Sequence, residues 1–547
     1  MDSERVSNTG GETVSDTVGE TVQPGRLWGV GLGPGDPELV TVKAARLIGA
    51  ADVVAFHSGT HRRSIARQIA EPYLRPDVLE EPLVYPVTTG STDHPGGYEA
   101  AISDFYDDVA RRLAVHLDAG RDVVVLCEGD PMFYGSYMYT HERLSGRYRT
   151  EVVPGVTSVS AAAAALGRPL VQRDEVLTVL PGTLSREEMA RRLAATDAAA
   201  VLKLGRTFER VRGAVEDAGR GPHAWYVERA STERQRVGPL RDVDPFEVPY
   251  FSLAMIPSPW SMDKMEGAPA SAAEAEQASG SVGSTTVPAQ PAAPEEATTP
   301  GEVVVVGLGP GDERWLTPEA REALERADHL VGYRTYLDRV PRREGQERHP
   351  SGNTVEAERA DAALELAREG AHVAVVSSGD PGVFAMAAAV VEQAASDPRW
   401  ASVPVRVLPG VTAAQAVASR VGAPLGHDFA VVSLSDRLKP WDVVAERLDA
   451  LARADLAIAL YNPTSRTRTW QLGEARDVLL RHRDPATPVV IGRDVGGPQE
   501  SIRVVALADL DPAQVDMRCL LIVGSSQTRA VEHGGRTTVL TPRHYPG

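Results

Sequence analysis

Cysteine is scarce. The 547 residues hold two, Cys127 and Cys519, each inside a strand-like apolar run. That excludes a disulfide framework and implies buried free thiols in a reducing compartment, the cytoplasm. There is no Cys-x-x-Cys and no clustered Cys/His pattern, so no protein-bound metal is expected. No apolar run reaches the roughly 18 residues of a membrane span, so no membrane contact is expected. The stretch from Met1 to Pro24 lacks the basic start and apolar core of a secretory signal. Rich in Ser, Thr, Gly, Glu and Asp, it buries too little apolar surface to order itself. Positive charge is also short. A net charge of −18 argues against a general nucleic-acid binder, which needs a basic face. An anionic ligand stays compatible, because local Arg and Lys decide its binding.

What the chain does contain, it contains twice. Leu27-Trp28-Gly29-Val30-Gly31-Leu32-Gly33-Pro34-Gly35-Asp36 is matched by Val304-Val305-Val306-Gly307-Leu308-Gly309-Pro310-Gly311-Asp312. A Thr (Thr41, Thr317) then opens a helix-like segment. Glu128-Gly129-Asp130-Pro131 is matched by Ser378-Gly379-Asp380-Pro381, and Val153-Pro154-Gly155-Val156-Thr157 by Leu408-Pro409-Gly410-Val411-Thr412. Three pairs in one order mean a tandem duplication with a period near half the chain, far beyond solenoid repeats.

The length alone predicts roughly three or four compact units. In the first half, Leu27–Gly31, Ala51–Phe56 and Asp122–Cys127 read as buried strands, and Pro37–Ala50 and Tyr98–Ala119 as amphipathic helices. Later strands at Val176–Leu180, Ala199–Leu204, Ala224–Glu228 and Tyr250–Ile256 predict a second, more mixed sub-domain. The second half repeats this plan, with strands at Glu302–Val306, His372–Val376, Ala430–Ser433, Leu456–Tyr461, Val489–Ile491 and Cys519–Val523. Its last predicted helix spans Arg466–Arg481, and its tail, Val539–Tyr545, is expected to dock on the surface. Strands alternating with helices predict α/β layers. The expected organisation is a disordered tail over 1–24, one unit over 25–260, a flexible Ala/Pro/Ser-rich linker over 261–300 and a second unit over 301–547.

The Gly-rich loop first invites a dinucleotide reading. Its third glycine is an acid in both copies (Asp36, Asp312), which would repel a pyrophosphate, and Pro34 and Pro310 remove a donor. A tight turn with Asp capping a helix explains part of the motif, but not its recurrence with two others. Taken together, Gly-x-Gly-Pro-Gly-Asp, Gly-Asp-Pro and Pro-Gly-Val-Thr resemble the tetrapyrrole (class III) methyltransferases, over nearly all of both halves. Asp36-Pro37-Glu38-Leu39, Cys127-Glu128-Gly129-Asp130-Pro131-Met132-Phe133-Tyr134-Gly135-Ser136 and Leu202-Lys203-Leu204-Gly205-Arg206 make the first half similar to the precorrin-2 C-20 type. His427-Asp428-Phe429 through Ser433-Leu434-Ser435-Asp436, Lys439-Pro440-Trp441 and Tyr461-Asn462-Pro463-Thr464-Ser465-Arg466 make the second similar to the ring-contracting precorrin-3B C-17 type.

The resemblance implies two tandem α/β units, each of two sub-domains with S-adenosylmethionine folded into the cleft between them. It also implies tetrapyrrole substrates, a role in cobalamin synthesis, and either a homodimer or a pseudo-dimer of the two halves. By motif, the cofactor residues would be Pro34, Glu128, Gly129, Asp130, Phe133, Thr157, Ser158 and Leu204, then Pro310, Ser378, Gly379, Asp380, Val383, Thr412, Ala413 and Tyr461. Where relatives hold an acidic base after the second strand, this chain has His57 and Tyr333. His57 fits either a proton acceptor near neutral pH or a surface histidine. Tyr333 is expected to orient substrate, since an unperturbed phenol is a weak base. Asp436 and Asn462 are further catalytic candidates. A polycarboxylate substrate calls for local cations and donors: Arg206, Ser435, Lys439, Arg466 and Arg468, with Arg62, Arg63, Lys203 and Arg437 behind them. Each could equally be a solvated surface residue. Two other readings fit the fold: activity on ribosomal RNA or a diphthamide precursor, and one half reduced to a non-catalytic tetrapyrrole binder.

Overall fold

The computed structural model describes residues 23–59, 64–87, 92, 94–172, 175–258, 300–352, 355–437, 439–465, 467–533 and 536–542. The expected linker lies outside these apart from Pro300, and the expected N-terminal tail apart from Gln23 and Pro24.

Each half opens with a five-stranded parallel sheet. In the first, the spatial order is Leu79–Val84, Val53–Ser58, Val123–Cys127, Arg26–Gly31, Arg149–Val153. In the second it is Glu347–Ser351, His329–Tyr333, His372–Ser377, Glu302–Gly307, Val405–Leu408. The central strands are β-branched and fully buried because helices cover both faces. Helix Val42–Ala50 covers one face of the first sheet and helix Gly97–Asp118 the other. The segment Pro37–Ala50 is not one helix. It is a 3-10 turn, Pro37–Leu39, followed by the helix, because the Thr41 hydroxyl accepts from Ala44 N–H and starts a new N-terminus. The Asp of the Gly-rich loop caps in both copies: Asp36 accepts from Glu38 N–H and Asp312 from Arg314 N–H.

The second sub-domains are mixed sheets of matching topology, and they are not separate. Strand Phe429–Ser433 of the second half pairs antiparallel with Val176–Pro181 of the first, Phe429 opposite Val179 and Val432 opposite Val176. The result is one ten-stranded sheet with five strands from each half. The two halves therefore pair with each other inside one chain, about a local two-fold relation. A single apolar cluster spans the join, including Val159, Ala162, Val171 and Leu177 from the first half and Val383, Val411, Val417 and Phe429 from the second. Arg192 and the buried Asp428 form an ion pair across it, as do Arg447 and Asp197.

The short strands Glu347–Ser351 and Arg236–Pro239 carry no sequence signal, because these edge strands lack a buried alternating face. The last predicted helix begins at Gln471 rather than Arg466. Of the predicted tail, Val539 and Leu540 belong to strand Arg536–Leu540, paired with Gly422–Ala423, with Val539 and Thr541 buried, and residues 543–545 lie outside the described residues. Both cysteines are free and buried.

Candidate active site

The carboxyl ends of the central strands carry the repeated loops, and the same geometry recurs in each half. Gly33 and Gly129 exchange backbone hydrogen bonds of 3.3 and 2.8 Å, while Gly309 and Gly379 do so at 3.1 and 2.9 Å. The backbones meet so closely that a methyl on Gly31 would lie 2.5 Å from the Gly155 nitrogen. Only glycine fits there. Gly129 and Gly379 both have φ of +67°, and their side-chain direction is open, with no atom nearer than 3.8 Å. That open face lies between the Gly-Asp loop and the Pro-Gly-Val-Thr loop. Pro34 and Pro310 are half-buried beside it.

Asp130 and Asp380 tie the loops together. Asp130 accepts from Met132 N–H (2.9 Å) and Gly155 N–H (3.1 Å). Asp380 accepts from Gly382 N–H (2.9 Å) and Gly410 N–H (3.1 Å). Burial outweighs these bonds and raises the carboxyls, Asp130 to about 7 and Asp380 to about 6. Thr157 and Thr412 cap helices Ser158–Leu166 and Ala413–Val421 from their hydroxyls, which leaves Ser158 and Ala413 at helix N-termini. The Tyr461 hydroxyl accepts from Ala414 N–H at 3.1 Å, and burial pushes its pKa up to about 12.

The loops also cross between halves. Ser160, on the first half's capped helix, lies beside Asp380 of the second, where it favours the ionised carboxyl. Val171 N–H donates to Gly382 O at 3.4 Å, bridging Val171 to Val383. The Phe133 ring meets Phe429 edge-on at 5.5 Å. Leu204 does not face this cleft. It is fully buried in the outer core with Leu180 and Phe208. Tyr461 ends strand Ala457–Tyr461 just before Asn462 (φ +49°), and the matching residue of the first half is Leu202, just before Lys203 (φ +61°). The strand ends therefore set the position equivalent to Tyr461 two residues before Leu204, since the Lys-Leu-Gly-Arg stretch carries no repeat signal.

His57 is not a surface histidine. Its ring stacks on Tyr85 (centroids 5.4 Å apart) beside Phe105 and Tyr106, and its Nε2 is buried with no partner among the described residues. Burial lowers its pKa to about 4, so it stays neutral at physiological pH. Glu128, at the end of strand Val123–Cys127, accepts from Ala66 N–H at 3.2 Å, and burial raises it to about 7. Its counterpart Ser378 accepts instead from Arg339, whose other nitrogen holds Leu308 O and Gly309 O. Tyr333 ends strand His329–Tyr333 and packs edge-on against Tyr336. Asn462 donates to Ser433 Oγ at 3.0 Å, and Asp436 accepts from Gln471 at 2.8 Å.

The cationic candidates separate. Arg468 is buried and donates to the carbonyls of Leu434 and Asn462, so it is an internal clamp rather than an anion receptor. Arg206 is exposed, Lys439 and Ser435 are half-buried near Asp436, and Arg437 is exposed. Arg62, Arg63 and Arg466 lie outside the described residues. Lys203 sits over the Tyr134 ring at 4.9 Å, which gives the first half's cleft a cation. Sequence reasoning missed Ser160 and Arg339. Ser160 works across the halves, and Arg339 lies in a stretch with no recurrent motif.

A family model described as tetrapyrrole (corrin/porphyrin) methylases matches residues 26–244 and 302–511. The cobalamin biosynthesis protein CobIJ of Mycobacterium tuberculosis is 60% identical over 526 residues, 95% of this chain and 96% of its own length. The precorrin-2 C(20)-methyltransferase of a Sinorhizobium species is 48% identical over 233 residues, covering 43% of this chain and 95% of that protein. The precorrin-3B C(17)-methyltransferase of a Sinorhizobium species is 49% identical over 249 residues, covering 45% of this chain and 98% of that protein.

Proposed function

The chain belongs to the tetrapyrrole methylase family, and from that premise we propose that it is a bifunctional S-adenosylmethionine-dependent C-methyltransferase of corrin-ring synthesis. The first half methylates precorrin-2 at C-20, and the second methylates precorrin-3B at C-17 with ring contraction. The observation that carries this reading is the likeness to a two-part relative along almost the whole chain, together with a different single-function relative for each half.

The residues present fit the cofactor. Gly129 and Gly379 each leave an open face beside capped helix N-termini. Gln415 Oε1, on the first turn of the second such helix, is buried with no partner among the described residues and can accept from an amine. Bound S-adenosylmethionine supplies an activated sulfonium methyl, so no covalent enzyme intermediate is needed. Pro34, Gly129, Asp130, Phe133, Thr157 and Ser158 would hold it in the first half, with Leu202 in place of Leu204. Pro310, Ser378, Gly379, Asp380, Val383, Thr412, Ala413 and Tyr461 would do so in the second. A cation in either cleft would favour the ionised forms of the buried carboxyls.

The protein's main task is alignment of donor and acceptor, which can lower a barrier by roughly 7–11 kcal/mol. Glu128 is the better proton acceptor of the first half, because a carboxyl held near 7 is matched to neutral pH. Neutral His57 instead forms part of an aromatic wall with Tyr85 and Phe105. In the second half, Tyr333 orients substrate while Asp436 and Asn462 serve the reacting centre. Arg206, Lys203, Ser435, Lys439 and Arg466 meet the substrate carboxylates.

The test keeps the chain whole. With labelled S-adenosylmethionine, the protein should label both precorrin-2 and precorrin-3B. Gly129→Ala should lose the first transfer and keep the second, and Gly379→Ala the reverse, because each strains a φ of +67°. A protein that binds the cofactor but labels neither precorrin would overturn the substrate assignment.

A further inference from the structure

Away from the cleft, the fold gathers His329, Glu347 and His349 at the amino ends of two neighbouring strands in the second half's first sheet. Register explains the gathering. His329 lies opposite Glu347 in the parallel pair, and Glu347 and His349 are two residues apart, so all three side chains leave the same face. Arg348, between them, points to the other face, where it donates to the carbonyls of Leu337, Val340 and Pro341. Its charge is thus spent away from the cluster.

The donor atoms are close. His329 Nδ1 lies 3.0 Å from His349 Nε2 and 3.7 Å from Glu347 Oε2, and one ligand atom from each residue falls within 4.8 Å of the others. Bonds of about 2.0–2.1 Å to a tetrahedral zinc ion require ligand atoms about 3.3–3.4 Å apart. The two measured separations bracket that spacing. The histidines are half-buried and Glu347 is exposed, which leaves a fourth position open to water. The equivalent positions of the first half are Val53, Leu79 and Glu81, with no such set.

We propose that His329, His349 and Glu347 form a binding site for one divalent metal ion of the zinc class, with two imidazoles, one carboxylate and water. Imidazole-rich sites select zinc, nickel or copper over magnesium or calcium. Along a five-residue strand the site lies about 13 Å from Tyr333, so the ion clamps the edge strand Glu347–Ser351 to its neighbour rather than joining methyl transfer.

The experiment titrates the full chain, freed of metal by chelator and dialysis, with zinc alone, by calorimetry and by thermal unfolding. One ion per chain should bind with micromolar or tighter affinity and raise Tm, and cobalt(II) should give the visible absorption of a tetrahedral site. His349→Ala and His329→Ala should each weaken this binding at least tenfold, and Glu347→Gln less. Metal-free Tm of His349→Gln serves as the folding check. Binding unchanged in both histidine variants, or no one-to-one binding to the wild-type chain, would overturn the proposal.

Discussion

Asp130 illustrates how a single side chain couples the cleft to pH. Its carboxyl is held near 7 by burial, against an ordinary value near 4. In the cofactor-free protein the folded state binds a proton that the unfolded chain has released. Its contribution to stability is complete below about pH 4 and is lost as pH rises through 7. Asp130→Asn cannot ionise, but gives up an acceptor to Gly155 N–H. The variant should melt below wild type at pH 5, and the gap should narrow steadily towards pH 8. Parallel Tm curves across that range would contradict the assigned protonation. Ser160 acts at the same scale but across halves. Ser160→Ala should raise the second half's KM for S-adenosylmethionine severalfold and shift its pH dependence upward, because Asp380 loses a neighbouring hydroxyl that favours ionisation. The first half's transfer should change less, and Ser160→Thr should restore the second. Equal loss in both halves would mean a merely structural role.

Among the elements, what could be read from the sequence followed from local chemistry. The buried strands Arg26–Gly31 and Val123–Cys127 announce themselves as apolar and β-branched runs. Thr41, Thr157, Thr317 and Thr412 cap the helices they precede, as Thr before a helical pattern should. The loops recur because Gly31 and Gly155, and likewise Gly307 and Gly410, meet backbone at distances that exclude a side chain, while Gly33, Gly129, Gly309 and Gly379 hold positive φ. What stayed hidden depends on elements far apart in the chain. Nothing local marks the polar strand Glu347–Ser351, or the gathering of His349 with His329 that its register produces. Nothing in Lys203-Leu204-Gly205 tells that the strand ends at Leu202, so the motif points two residues past the position equivalent to Tyr461. Ser160 and Asp380 come together from 220 residues apart, and no spacing rule reaches that far.

For the whole molecule, the decisive element is the pairing of Val176–Pro181 with Phe429–Ser433. Either half alone would present that strand as a bare edge beside an uncovered apolar cluster, which invites aggregation. Expression of separate halves is therefore expected to give insoluble or self-paired protein, and activity tests belong on the full chain. The join also depends on Arg192, which compensates the buried Asp428. Arg192→Ala leaves that carboxylate without its cation and should cost about 3–5 kcal/mol. One cooperative unfolding transition, shifted down as a unit, is the expected thermal record. Two separated transitions would show that the halves melt independently.

The shared sheet has a consequence for dosage. Two separate enzymes can be made in unequal amounts, and each can be lost without the other. Here the ratio is fixed at one to one by translation, and a single folding event commits both catalysts together. A lesion in the common strand pair would strike two biosynthetic steps at once, so those few residues carry a double burden under selection.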